Sequence, residues 1–106
     1  MDKLTGKQRR WLRGQAHHLK PVVIVGQAGL SGPVLEAIDE ALDNHELIKL
    51  RFGDPQMDRK QLAAEIEAKL ECEVAGMVGH VAIVYRPSRL EEKREISLPS
   101  SDAASD

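Results

Sequence analysis

The sequence predicts an α+β domain, a two-layer arrangement of order α-β-α-β-α-β-β around a mixed four-stranded sheet, with the helices gathered largely on one side. Three observations predict it. Segments whose apolar residues recur at helical spacing alternate with short β-branched runs. Loops rich in glycine or proline, Gly26 to Gly29 and Gly53 to Pro55, separate several of those segments. The last two runs are adjacent and separated only by Gly79 and His80, which suits a hairpin instead of a helical crossover.

Taken in order, residues 4 to 19 read as a helix. At about 100° per residue, Leu4, Trp11, Leu12, Ala16 and Leu19 share one arc and Lys3, Lys7, Arg9, Arg10 and Arg13 fill the other side. Pro21 to Val25 is a short strand expected to be buried, because β-branched side chains are stiff at χ1 and fit a pleated surface. After Gly26-Gln27-Ala28-Gly29, Ser31 is placed to cap a second helix from Gly32 to Asp43, with Pro33 in its first turn. Val34, Leu35, Ile38, Ala41 and Leu42 form its inward stripe, and its acids point outward.

Leu47 to Phe52 alternates as a strand, with Ile48, Leu50 and Phe52 on one side and Lys49 and Arg51 on the other. Gly53-Asp54-Pro55 breaks it. Asp58 and Gln61 resemble a capping box for a third helix that turns Leu62, Ile66 and Leu70 inward. Val74 to Val78 and Val81 to Tyr85 then form the hairpin, with Gly79 at the first position of a type II′ turn, and Pro87 stops the last strand. Residues 1 to 98 are read as one domain. In the stretch 99 to 106 apolar content vanishes, so a disordered tail is expected there.

The 106 residues, 42% hydrophobic and 30% charged, suffice for one core, and the composition is that of a folded chain rather than a disordered one. The net charge of −2 conceals a segregation. Residues 1 to 20 carry Lys3, Lys7, Arg9, Arg10, Arg13 and Lys20 against Asp2 alone, whereas residues 30 to 48 carry Glu36, Asp39, Glu40, Asp43 and Glu46 without a base. Cys72 is the only cysteine and cannot form an intramolecular disulfide. No signal-peptide or membrane-length apolar run is present, so a cytoplasmic chain without membrane contact, a monomer, is expected.

The glycine loop between the first strand and the second helix places free amides and the positive end of a helix dipole where a phosphate fits. Alone such a loop is a weak signal and more often a plain tight turn. Here it follows a basic helix whose charges lack the i,i+4 partners of a merely soluble surface. The candidate nucleic-acid-binding residues are therefore Lys3, Lys7, Arg9, Arg10, Arg13, Lys20, Gly26, Gln27, Ala28 and Gly29, with Lys49 and Arg51 as an extension or as an ordinary solvent side. Trp11, Phe52 and Tyr85, the only aromatics, lie scattered on core-like stripes, so a sheet surface that stacks bases is not expected. The four histidines and Cys72 show no metal-ligand spacing, and no nucleophile elbow, P-loop or dinucleotide fingerprint occurs. No catalytic activity, metal or cofactor is expected.

Read together, Leu4-Thr5-Gly6-Lys7-Gln8-Arg9-Arg10-Trp11-Leu12-Arg13, Ala16-His17-His18-Leu19-Lys20-Pro21, Gly26-Gln27-Ala28-Gly29-Leu30, His45-Glu46-Leu47-Ile48-Lys49 and Gly79-His80-Val81-Ala82-Ile83-Val84-Tyr85-Arg86-Pro87 resemble the CRM domain, and more narrowly the single-domain bacterial YhbY family. The resemblance spans residues 4 to about 88 with each motif in order. It implies a fold similar to the C-terminal domain of translation initiation factor three, and a glycine loop analogous to that of KH domains. It also implies binding to ribosomal RNA in precursors of the large ribosomal subunit during ribosome assembly, with ribosomal proteins as further partners. Family members typically carry Lys followed by a polar residue inside the loop, where this chain has Gln27 and Ala28. Loop amides rather than loop side chains are thus expected to meet phosphate. The alternative reading is a protein-interaction module, in which Glu36, Asp39, Glu40 and Asp43 of the acidic second helix dock a basic ribosomal protein.

Overall fold

The computed structural model describes residues 3–100. Its elements are α1 (Gly6–Gln15), β1 (Pro21–Val25), α2 (Gly32–His45), β2 (Leu47–Phe52), α3 (Arg59–Leu70), β3 (Glu73–Val78) and β4 (Val81–Tyr85), followed by a single 3-10 turn at Glu91–Lys93. The sheet order is β1-β2-β4-β3, with β1 parallel to β2 and the other two pairings antiparallel. Most of the expected tail lies outside the described residues. At its start, the Pro99 carbonyl accepts from the Gln8 side chain at 3.1 Å.

Local chemistry sets the element ends. The first helix is shorter than its apolar period suggests, because Thr5 caps it: the Thr5 hydroxyl accepts from the Gln8 amide at 3.1 Å while the Gln8 side chain accepts from the Thr5 amide at 3.0 Å. Leu4 therefore reaches the core from outside the helix, and Ala16 closes the other end, with Leu19 beyond it. Ser31 and Asp58 cap α2 and α3 by accepting from the Val34 and Gln61 amides. In the β3–β4 turn Gly79 has φ +58°, the left-handed value a type II′ turn needs at its first position.

Strand alternation divides the core between the two sheet faces. On one, α2 and α3 bring Ile38, Leu42 and Ile66 against Val25, Ile48, Leu50, Phe52, Ala82 and Val84. The expectation that helices gather on one side holds for this pair. The first helix instead crosses the other face, where Leu4, Leu12 and Ala16 meet Leu47, Ala75, Ile83 and Tyr85, and Trp11, Leu19, Ile96 and Leu98 close the cluster. Ile83 and Tyr85 require such a cover, since they alternate with Ala82 and Val84 and would otherwise stand in water.

The first strand departs from the sequence reading of a buried strand. Only Val25 is fully buried, whereas Val22 is 52% and Ile24 62% exposed. The strand lies at the sheet edge, and α1 packs mainly along β3, so the face of β1 that carries Val22 and Ile24 stays largely exposed.

Segment 86–98, for which the sequence offered only a strand stop, is tied down by two acid clusters. Arg86, with its side chain 7% exposed, binds the Asp39 carboxylate at 2.7 Å and Asp43 at 3.1 Å, and Arg89 binds both at 2.6 Å. For Asp39, burial pushes the carboxyl up, but the hydrogen bonds and charges of Arg86 and Arg89 win and hold it below its ordinary value. For Asp43 the Arg89 hydrogen bonds dominate and hold it well below. The second cluster is Glu46, 1% exposed, whose carboxylate accepts from the amides of Ser88, Glu95 and Ile96 at 2.8, 2.7 and 3.0 Å. Burial opposes its ionisation, yet these three amides keep its carboxyl below the ordinary value.

Candidate nucleic-acid interface

The candidate bases divide into two groups. Arg9 is spent internally: it donates to the Val74 carbonyl at 2.9 Å and pairs with Glu73 at 3.2 Å, the side chains being 33% and 13% exposed. The same Glu73 oxygen also accepts from the Leu4 amide, so this contact fastens the N-terminal part of α1 and the residue before its cap to the edge strand β3. The unopposed basic face read from residues 1 to 20 thus loses one member, because its partner lies 64 residues away.

Arg13 also reaches over β3 but keeps its charge available. One guanidinium nitrogen donates to the Ala75 carbonyl at 2.9 Å, and the stem lies flat on Gly76, where a Cβ would fall 2.5 Å from the arginine Cδ. Glycine at 76 is what lets Arg13 lie there. Lys3, Arg10, Lys20 and Arg51 are exposed and, among the described residues, form no ion pair. Lys7 is half-buried on the same helix.

The structure assigns Lys49 and Arg51 to the sheet face crossed by α1, because they alternate with Ile48, Leu50 and Phe52 of the opposite core. Lys49 donates to the His17 carbonyl at 3.4 Å, at the point where the chain leaves α1 for β1. Arg13, His17, Pro21, Lys49, Val78, Val81 and Ile83 together line a groove of about 370 Å³. Lys49 therefore adjoins the end of the basic helix, and Arg51 lies one row further along the same face.

The glycine loop leaves the C-terminal end of β1 and leads into α2. Gly29 turns at φ +68°, and its amide donates to the Gly26 carbonyl at 2.9 Å. Gly26, Gln27 and Ala28 are exposed, and no acid occupies the first turn of α2. The Gly29 amide is taken by the Gly26 carbonyl and the Val34 amide by the Ser31 hydroxyl, so an external anion would meet the remaining amides of the loop and first turn.

The acidic face of α2 is less available than its sequence suggested. Asp39 and Asp43 are engaged by Arg86 and Arg89, which leaves Glu36 and Glu40 as its exposed acids. Cys72 is buried, with its thiol pushed up to about 12 by loss of hydration, and at neutral pH it carries no nucleophilic thiolate. Among the described residues no three His, Cys, Asp or Glu side chains gather as metal ligands, and no helix is long and apolar enough to cross a membrane.

Sequence reading missed Val22, Ile24 and Val78, three exposed apolar side chains on β1 and β3. Alternation along each strand puts Val22 with Ile24 and Val78 with Gly76, but only the strand pairing brings β1 and β3 into one surface with Lys49 and Arg51.

Comparison with known proteins places the chain among proteins described as RNA-binding. A Haemophilus influenzae protein described as an RNA-binding protein is 40% identical over 100 residues, covering 93% of this chain and 98% of its own. YqeI of Bacillus subtilis, described as a candidate RNA-binding protein, is 34% identical over 97 residues, covering 91% and 99%. The solution structure of a Staphylococcus aureus protein, a candidate RNA binder, superposes with a TM-score of 0.78 at 36% identity, covering 92% of this chain and all of that one. Residues 4–86 match the CRS1 / YhbY (CRM) domain, and the chain belongs to that family.

Proposed function

We propose that the chain is a non-catalytic RNA-binding protein of the cytoplasm that engages ribosomal RNA in precursors of the large ribosomal subunit during assembly. The observation that supports RNA binding is the meeting of Arg13 and Lys49 in one groove lined by no carboxylate. Lys3, Lys7, Arg10 and Arg13 of the N-terminal region, Lys20, and Lys49 and Arg51 of β2 supply charge in this reading, and the loop amides other than that of Gly29 supply donors. Relatives along the full length described as RNA-binding support the reading. The ribosomal target rests on the resemblance to the YhbY family. Arg9 acts in this reading as a positioning residue that holds α1 on β3.

The test is direct. With about four phosphates neutralised, log affinity for RNA falls with log salt at a slope of about −3. Arg10→Glu combined with Lys20→Glu weakens binding and flattens that slope. Crosslinking in cells with sequencing of the bound RNA is expected to return large-subunit ribosomal RNA. A slope near zero, or bound RNA of another class, refutes the corresponding part.

A further inference from the structure

We infer that the uncovered end of the sheet, the row Ile24, Arg51, Val81 and Val78, takes the bases of an unpaired RNA segment while the surrounding cations hold its phosphates. The inference rests on the RNA reading above and adds the strandedness of the ligand. Ile24 pairs with Arg51, Arg51 with Val81, and Val81 with Val78, so one residue from each strand projects from the same face. Arg51 identifies that face, since it alternates with the core residues Leu50 and Phe52.

The first helix covers the lower rows of this face and stops short of this one. Ile24 is 62% and Val78 67% exposed, where a monomeric sheet would ordinarily place polar side chains. The next row, Pro21, Lys49, Ile83 and Gly76, borders it, and the groove of about 370 Å³ opens between them.

Charge selects the occupant. The groove and the row carry Arg13, Lys49 and Arg51, with His17 beside them, and no carboxylate lines either. A second copy of this chain would set those cations against their own kind, which disfavours self-association through this face. A polyanion with apolar planar groups satisfies both components. Bases in a duplex are stacked inside and offer an A-form surface of sugar and phosphate, which leaves the aliphatic side chains unused. Splayed bases cover them. Three inter-strand steps of about 4.8 Å give a row about 14 Å long, and a four-stranded sheet of that width accommodates two or three bases. With no aromatic in the row, Arg51 supplies the one planar group for stacking.

The test uses the whole chain and the exposed double variant Ile24→Ser with Val78→Ser, checked for an unchanged melting temperature. Binding is read by anisotropy with an unstructured single-stranded RNA oligonucleotide and with the same oligonucleotide annealed to its complement. The wild type is expected to prefer the single strand. The variant is expected to bind it about tenfold more weakly, from loss of a few buried carbons at each position, with duplex affinity and salt slope unchanged. Equal loss on both ligands, or no loss on either while the salt slope persists, overturns the inference and leaves RNA binding standing. A change in oligomeric state without a change in single-strand affinity would make the row a protein interface and overturn it too. Salt-independent or absent binding of both RNAs removes the RNA reading itself.

Discussion

Replacing Glu46 removes one carboxylate shared by three backbone amides, and the cost can be worked amide by amide. Ser88 is fully buried, so without Glu46 its amide has no route to water, and an orphaned buried donor costs about 1–3 kcal/mol. Glu95 is exposed and Ile96 half-buried, so their amides rehydrate and each forfeits only the net value of a charge-assisted bond, about 1 kcal/mol. Release of the carboxylate from burial offsets part of this. A loss of about 3 kcal/mol results, a large fraction of the roughly 5–10 kcal/mol expected of a domain this size. The melting temperature of Glu46→Ala should fall by about 15 °C.

Glu46 also sits at φ +65°, a left-handed conformation that alanine keeps under strain and glycine relieves. Glu46→Gly should therefore be more stable than Glu46→Ala by about 1 kcal/mol, although both lack the carboxylate. The pH dependence follows from the lowered carboxyl. Its contribution is fully present above the ordinary value of 4.5 and is lost as pH falls through the depressed folded value, so wild type and variants converge in acid. Thermal and urea unfolding followed by circular dichroism, at neutral pH and in acid, measures all three effects. Variants melting within a degree or two of wild type, or alanine more stable than glycine, would refute the account.

Three further outcomes are expected. Arg9→Ala should cost about 1 kcal/mol of stability and leave the RNA salt slope unchanged, whereas Arg10→Ala should do the reverse and reduce the slope by about 0.7; parallel unfolding curves and salt titrations decide it, and equal slopes for the two would count against the division of bases. Asp43→Asn leaves the buried Arg86 with Asp39 as its remaining acid and should destabilise by about 2–3 kcal/mol at neutral pH; since the Asp43 carboxyl is held well below 3.8, the difference should persist until the pH falls far below that value. The Cys72 thiol, buried and pushed up to about 12, should resist alkylation at pH 8 until the protein unfolds, and Cys72→Ser should lower stability without changing RNA affinity; rapid labelling of the native protein would contradict its burial.

The sequence by itself determined what depends on near neighbours. The seven elements in order, the Ser31 and Asp58 caps, the glycine turns at 29 and 79, and the sharing of one strand face by Lys49 and Arg51 follow from periodicity and backbone sterics within a few residues. The motifs that identify the family are of the same local kind. Tertiary structure decided which element covers which face and which charges meet. Arg9 finds Glu73, Asp39 and Asp43 find Arg86 and Arg89, and Glu46 turns from a surface acid into a buried acceptor for a segment more than 40 residues away. The same holds for Ile24 and Val78, made neighbours in one row by two strands that never pair with each other. Periodicity states that a face is apolar or charged. Only the folded chain, by closing long loops against their entropy, determines whether that face meets a helix, an opposite charge or solvent.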